Sequence, residues 1–170
     1  RCAEGLISLE KKLGLNFENV VMIQGDEPMV DSVMIEKSLT PVLMNKCNIT
    51  NLMGPFHSNE EFVSKNSIKV VVDRNYNALY FSRSVIPSNS NYQDPHVGKQ
   101  VCVISWKRDF LIKFNNIEET KLEIQESIDM LRLLENNYKI KIIPISQNSQ
   151  PIDAPEDIKV VEKLILNPNK

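Results

Sequence analysis

Continuous apolar runs alternate along the chain with segments whose apolar residues recur at a helical period, and this pattern predicts an α/β domain. Residues 20–23 are four consecutive apolar residues, soon followed by Gly25 and Pro28. Such a run is typical of a strand buried on both faces in a mostly parallel sheet. Further strands are predicted at 48–53, 68–72, 78–82, 101–106 and 140–145.

Helices are predicted between these strands, at 2–13, 31–44, 110–114, 120–136 and 155–165. Asp31 or Ser32 is suited to cap the second helix, and Pro41 is expected to bend or end it. Thr120 and Glu123 have the spacing of a capping box, which makes 120–136 the most strongly predicted helix.

The order of these elements predicts one domain over residues 1–170, with an inserted hairpin and loop region at about 68–106. The hairpin turns at 73–77, and residues 88–98 are rich in Ser, Asn, Pro and Asp, as in a loop. The expected fold class is α/β, with a mixed, mostly parallel sheet flanked by helices.

Composition excludes several classes of function. The chain is 42% hydrophobic and 25% charged with a formal net charge of -2, so nothing favours a nucleic-acid partner. No apolar run approaches the roughly 20 residues of a membrane span, so no membrane partner is expected. Three scattered cysteines, in no C-x-x-C pair, argue against a disulfide framework and indicate a cytoplasmic protein.

Two acidic turns are the candidate metal site. Asp26 and Glu27 follow the strand at 20–23, and Asp153 precedes a helix together with Glu156. Two carboxylates converging from distant parts of the chain suit Mg²⁺, which prefers oxygen ligands and bridges substrate phosphates. The spacing of Asp153 and Glu156 is also that of a helix cap, and from the residues alone a cap is favoured over a ligand.

A third candidate is Arg83, which follows a predicted strand and precedes a turn limited by Pro87. A planar guanidinium at such a place can hold a carboxylate or a phosphate through two parallel hydrogen bonds. An exposed arginine at a strand end is the alternative.

Four segments, taken in order, resemble the 3-deoxy-manno-octulosonate (Kdo) cytidylyltransferases, also called CMP-Kdo synthetases. They are QGDEP at 24–28, KVVVD at 69–73, ALYFSR at 78–83 followed by Ile86-Pro87, and Asp153 with the PED at 155–157. The resemblance runs nearly from end to end. It implies a nucleotide-diphospho-sugar transferase fold, usually a homodimer, that couples CTP to Kdo and yields CMP-Kdo and pyrophosphate for lipopolysaccharide synthesis.

The resemblance also implies roles for individual residues. Asp26 and Asp153 would be the Mg²⁺ ligands, which reverses the preference for a cap at Asp153. Arg83 would engage the acidic sugar. The remaining substrate-binding residues that it implies are Gln24, Tyr80, Ser82, Gln100, Glu123 and Asp129.

The chain departs from the family at its beginning. The family starts with a phosphate-binding loop of the form IPAR…SxRxPGKP, and no such segment occurs here. Arg1 aligns well inside the family's sequence. We therefore expect the chain as given to have little or no activity, and to expose an apolar sheet edge or face that favours self-association.

The implied sugar pocket also departs from the family. Where the family reads HIGIYAY, the His is replaced by Gln100 and the first Tyr by Ile104. Where it reads LEQLR, the Glu-Gln pair is replaced by Asp129 and Met130. These changes leave two alternatives to a Kdo enzyme open: a cytidylyltransferase for another acidic sugar, such as a nonulosonate, or an inactive remnant that only dimerises.

Overall fold

The computed structural model describes residues 1–147, 149–152 and 154–166. The strands are β1 (Asn19–Ile23), β2 (Ile49–Gly54), β3 (Lys69–Val72), β4 (Ala78–Ser82), β5 (Val97–Lys107) and β6 (Lys141–Pro144). The helices are α1 (Cys2–Leu13), α2 (Ser32–Leu43), α3 (Asn59–Val63), α4 (Arg108–Asn115), α5 (Lys121–Glu126), α6 (Met130–Glu135) and α7 (Pro155–Leu166). The predicted α/β class, the hairpin and all six predicted strands are confirmed.

The 11-residue strand β5 organises the six-stranded sheet, whose order is β4-β3-β5-β2-β6 with β1 also on β5. Among the described pairings, only β2 with β6 is parallel, and the other four are antiparallel. The mixed sheet is thus confirmed, but the expectation of mostly parallel strands is not met in this part of the chain. The reason is that β5 runs against all three of its neighbours.

Strands β1 and β3 both pair with the same edge of β5, one after the other along its length. β1 pairs with residues 103–107 of β5, and β3 pairs with residues 97–99. The two strands separate between these stretches, where the Gln24 amide donates to Cys102 O (3.3 Å) and the Gln100 amide donates to Ile68 O (2.8 Å). This opening exposes the middle of β5 to the cavity described below.

Strand β1 is only half-buried, less than the sequence-based prediction of a strand buried on both faces. Its residues are half-buried, and the side chain of Ile23 is 43% exposed. Only β5 pairs with β1 among the described strands, so its other edge is open within this part of the chain. Val20 and Met22 pack against the core around Trp106, and Val21 packs on the opposite face, so both faces of β1 are partly covered and its open edge leaves its residues half-buried.

The prediction of one helix at 120–136 is also wrong, because the structure has two short helices there. The capping box of Thr120 and Glu123 is present and starts α5, but Ser127 adopts a left-handed conformation (φ 54°) that ends it. A second helix, α6, begins only at Met130. The break brings residues 127–129 to the wall of the cavity. The short helix α3 was not predicted.

Two apolar layers cover the sheet. On one face, Met34 of α2 packs against Leu52, Val101 and Val103. Asp31 caps that helix by accepting from the Met34 amide (2.7 Å), which settles the choice between Asp31 and Ser32. The larger core lies on the other face around Trp106 and includes residues of α1, α4 and α6. In the described part of the chain, no helix has the length and hydrophobicity needed to cross a membrane.

Candidate functional site

A cavity of about 770 Å³ lies where β1 and β3 separate along β5. Gln100, Cys102 and Ile104 alternate along β5 and form its floor, since residues two apart on a strand face the same side. The wall carries more negative than positive side chains. The carboxylates are Asp26, Glu27, Glu119, Glu123 and Asp129, and the cationic groups are Arg83 and Lys99.

Asp26 lies in the turn after β1 and contributes to this wall. Its Oδ1 atom is buried and has no hydrogen-bond partner among the described residues. The main-chain oxygen of Asp26 accepts from the amide of Ile152 (2.9 Å), which brings the segment 149–152 onto the same turn. Asp153, the other predicted metal ligand, lies outside the described residues. A buried carboxylate oxygen without a partner is costly unless a ligand satisfies it.

Glu27, the neighbour of Asp26, is fully engaged by the protein. It is 7% exposed, and its carboxylate accepts from the Cys102 amide (2.9 Å) and from the Ser149 hydroxyl (2.6 Å). These bonds tie the turn after β1 to β5 and to the segment 149–152. Glu27 therefore has a structural role. Both of its carboxylate oxygens are occupied by protein donors, whereas Oδ1 of Asp26 is bonded to no described residue.

Lys99 is a site residue that the sequence-based reasoning missed. It is 3% exposed, and its ammonium contacts the carboxylate of Glu61 and donates to Ser149 O (2.5 Å). The only signal in the sequence was a lysine just ahead of an apolar strand. That strand was predicted to start at 101, whereas β5 starts at Val97 and includes Lys99.

Arg83 lies at the wall, and its guanidinium binds main-chain oxygens around the end of α5. Nε donates to Glu126 O (2.8 Å), and the two terminal nitrogens donate to Lys65 O (3.0 Å) and Ser127 O (3.4 Å). The Glu126 carboxylate in turn accepts from the Arg83 amide (2.8 Å) and the Ser82 hydroxyl (2.7 Å). Three of the five guanidinium N–H groups are thus used by the protein.

Lys69 supports Arg83 from behind the wall. The fully buried ammonium donates to Ser64 O (2.6 Å), Ser67 O (2.8 Å) and Arg83 O (2.9 Å). Burial, and then the positive charge of Arg83, lower the pKa of Lys69. The lysine fastens the loop 64–67 to the end of β4, which fixes the main chain on both sides of the arginine.

Two of the predicted residues, Glu123 in α5 and Asp129 just before α6, line the cavity but differ in their charged partners. The Glu123 carboxylate pairs with Arg132, whose Nε donates to it at 2.7 Å, so its charge is neutralised within the protein. Asp129 keeps an open face towards the cavity, but the surrounding protein, and then the charge of Glu123, raise the pKa of its carboxyl. Asp129 is consequently the more available of the two to a ligand.

The structure therefore brings together most of the predicted substrate-binding residues, with two exceptions. Gln24, Arg83, Gln100, Glu123 and Asp129 all line the cavity. Tyr80 and Ser82 lie outside the wall. Tyr80 packs half-buried against the main core, and Ser82 is buried behind Arg83. Direct contact of these two residues with a substrate remains a prediction that the geometry does not favour.

A resident metal ion would have few protein ligands here. Within the described residues, no three His, Cys, Asp or Glu side chains come together as a metal-binding group. Mg²⁺ is compatible with such a site, because it usually keeps several waters and uses one or two carboxylates together with substrate phosphates. The unpartnered Oδ1 of Asp26 meets that requirement.

Comparison with known proteins agrees with this geometry. A sequence model described as cytidylyltransferase matches residues 7–142. The 3-deoxy-manno-octulosonate cytidylyltransferase of Geobacter metallireducens is 35% identical over 161 residues, covering 85% of this chain and 62% of that protein. The protein of the same name from Fusobacterium nucleatum is 34% identical over 154 residues, covering 90% and 63%.

A solved structure shows the same fold. The CMP:2-keto-3-deoxy-manno-octonic acid synthetase complexed with CTP superimposes with a TM-score of 0.83 at 26% identity, covering 99% of this chain and 69% of that one. The chain thus spans a little less than two thirds of the length of the Geobacter and Fusobacterium relatives. The family model, the identity to the relatives and the shared fold lead to one conclusion: this chain belongs to the cytidylyltransferase family.

Proposed function

We propose that the protein transfers CMP from CTP to the anomeric hydroxyl of Kdo, giving CMP-Kdo and pyrophosphate. The observation that carries the proposal is the unpartnered carboxylate oxygen of Asp26 in the same cavity as Arg83. A metal-binding carboxylate and a guanidinium are the groups needed to bring a nucleoside triphosphate and an anionic sugar together. The names of the relatives and the CTP complex of the similar structure support this choice.

We propose Mg²⁺ as the cofactor, held by Asp26 and, as the resemblance implies, by Asp153. Glu123 is paired with Arg132 and Lys99 with Glu61, so four wall carboxylates against Arg83 would repel a triphosphate and a sugar acid. Bound Mg²⁺ supplies positive charge that offsets the phosphates and aligns the reacting groups. Asp26 is suited to hold it because the Oδ1 atom loses no protein hydrogen bond in doing so.

Arg83 is proposed to bind the carboxylate of the sugar. Its bonds to the main chain of residues 65, 126 and 127 leave two N–H groups, and these bonds fix the guanidinium plane. The anomeric hydroxyl then forms a bond to the α-phosphorus of CTP while the bond to pyrophosphate breaks. A fixed plane orients the hydroxyl for that attack, and no covalent enzyme intermediate is needed.

A different acidic sugar is the second candidate acceptor. Ile104, which is 1% exposed, contributes an apolar side chain to the cavity floor that Gln100 also lines. A floor of this kind would suit an acceptor with fewer or differently placed hydroxyls than Kdo. Homodimerisation, a cytoplasmic location and a role in lipopolysaccharide synthesis are further predictions from the resemblance.

The test is pyrophosphate release from CTP and Mg²⁺, with Kdo or a nonulosonate as acceptor. It requires the complete protein as its native reading frame encodes it. Pyrophosphate release with Kdo supports the proposal. Release with the nonulosonate alone would show that the acceptor is a nonulosonate and not Kdo. A folded protein that neither binds CTP nor releases pyrophosphate would overturn the enzymatic assignment in favour of a dimerising module.

A further inference from the structure

The side chain of Gln100 reaches the floor of the cavity from the middle of β5. It is 9% exposed, and this small exposed area lies at the cavity that the residue lines. Its Nε2 donates to Oδ1 of Asn51 on the neighbouring strand β2 (2.7 Å). A carboxamide can be rotated by 180° to exchange donor and acceptor, so what Gln100 offers to a ligand depends on what fixes it.

Asn51 fixes this orientation because its own orientation is determined by the main chain. The residue is fully buried, and its Nδ2 donates to Val101 O (2.8 Å) and Leu52 O (3.0 Å). Main-chain oxygens only accept, so the Nδ2 atom must face them and the Oδ1 atom must face Gln100. The register between β2 and β5 shifts at Asn51 and Leu52, which is where these bonds are made.

The opposite orientation of Gln100 would place two carboxamide oxygens against each other in a buried site. Such a contact leaves two acceptors without donors, at a cost of about 1–3 kcal/mol for each unsatisfied group. With Nε2 turned to Asn51, Oε1 of Gln100 accepts no hydrogen bond from the described residues, and the residue lines the cavity. The cavity floor thus presents a fixed acceptor.

We propose that Asn51 is a positioning residue that makes Gln100 a specificity determinant, whose Oε1 accepts a hydrogen bond from one hydroxyl of the acceptor sugar. The inference rests on the proposed function and deepens it. A site built to accept from a hydroxyl discriminates strongly against an analogue that lacks it, because the acceptor is then left unpaired.

The orientation is tested first, without substrate. In the ¹⁵N-labelled protein, hydrogen exchange of the Gln100 side-chain amide is compared between wild type, Asn51→Leu and Ser38→Ala. Ser38 is an equally buried polar residue on the other face of the sheet, bonded to Thr50 and Ser105 (3.1 and 2.7 Å). We expect exchange to speed up at least about tenfold in Asn51→Leu and to change little in Ser38→Ala. Equal exchange in all three proteins would overturn the inference.

The specificity is tested with Kdo and a set of its monodeoxy analogues, in the complete protein. One analogue should lose about 10-fold to 100-fold in kcat/KM with wild type. That penalty should fall to about twofold in Gln100→Leu and in Asn51→Leu. An unchanged penalty in Gln100→Leu would overturn the inference.

The two tests separate this inference from the proposed function. If the complete protein transfers no CMP to Kdo while the Gln100 amide is protected by Asn51, the Kdo assignment fails and the fixed acceptor remains. The analogue series is then repeated with the nonulosonate and its deoxy derivatives. If transfer to Kdo occurs but the Gln100 amide exchanges freely, the proposed function remains and the role of Asn51 is overturned.

Discussion

At the scale of single residues, two adjacent carboxylates have different roles. Asp26 has a buried oxygen without a protein partner, whereas both oxygens of Glu27 accept hydrogen bonds from Cys102 and Ser149. The sequence shows only two acidic residues in a turn and cannot distinguish them. The difference depends on which donors the distant segments bring to each carboxylate.

This contrast predicts opposite effects of two conservative substitutions. Asp26→Asn should reduce pyrophosphate release by at least about 100-fold, because a metal-binding charge is lost, with little change in stability. Glu27→Gln should lower the free energy of unfolding by about 1–3 kcal/mol, since the charge-assisted bonds from the Cys102 amide and the Ser149 hydroxyl become neutral ones. Urea unfolding and steady-state kinetics measure both effects. Near-normal turnover of Asp26→Asn would show the metal assignment to be wrong.

Arg83→Ala should raise the KM for the acidic sugar far more than the KM for CTP. The guanidinium is placed by main-chain oxygens at the end of α5, and the proposed ligand of its remaining N–H groups is the sugar carboxylate. Because these bonds also join β4 to α5, some loss of stability is expected, and kinetics must be measured below the lowered Tm. The reverse KM pattern would place Arg83 on the nucleotide.

At the scale of elements, hydrophobic pattern and capping residues predicted most of the fold. The hairpin of β3 and β4 and the start of α2 at Asp31 or Ser32 follow from local sequence, and both are confirmed, with Asp31 as the cap. The break at Ser127 was not predictable, because helical periodicity continues through it and serine is not a typical left-handed residue. The antiparallel direction of β1 depends on its partner β5, which a local pattern does not reveal.

One contact between elements makes stability depend on pH. Glu10 of α1 is 6% exposed and accepts from Nε and Nη2 of Arg108 at the start of α4 (2.7 and 2.8 Å). The arginine, and then the Phe17 amide, lower the pKa of Glu10 to about 2 from an ordinary value of 4.5. The folded state thus favours the charged carboxylate. This contribution is complete above about pH 4.5 and is lost as the pH falls towards 2.

The prediction is that Glu10→Gln lowers the free energy of unfolding at pH 7, and that the difference from wild type shrinks between pH 5 and about pH 2. Urea unfolding at several pH values measures it. Glu4→Gln on the same helix is the matched control, because the Glu4 side chain is 77% exposed and should contribute little at any pH. A difference that does not depend on pH would contradict the assigned cause.

At the scale of the whole molecule, the site arises from the topology of the sheet. β5 is long enough to pair with two strands along one edge, and the opening between them gives the cavity its floor. Sequence resemblance predicted six of the wall residues, Asp26 among them, because motif positions transfer between relatives. It missed Lys99 and Asn51, whose roles depend on contacts across 38 and 49 residues of chain.

The charge of the whole cavity predicts that CTP binding depends on a divalent cation. With Glu123 paired to Arg132 and Lys99 paired to Glu61, the wall keeps four carboxylates against Arg83 and repels a triphosphate. Among these four, Asp26 has an Oδ1 atom that no described residue compensates. In the complete protein, titration calorimetry should give a Kd for CTP at least about 10-fold weaker in EDTA than with Mg²⁺. Asp26→Asn should largely remove that difference, whereas Glu36→Gln, on the exposed face of α2, should keep it. Equal affinity with and without Mg²⁺ would mean that protein cations alone balance the phosphates, and the metal would then have no place in nucleotide binding.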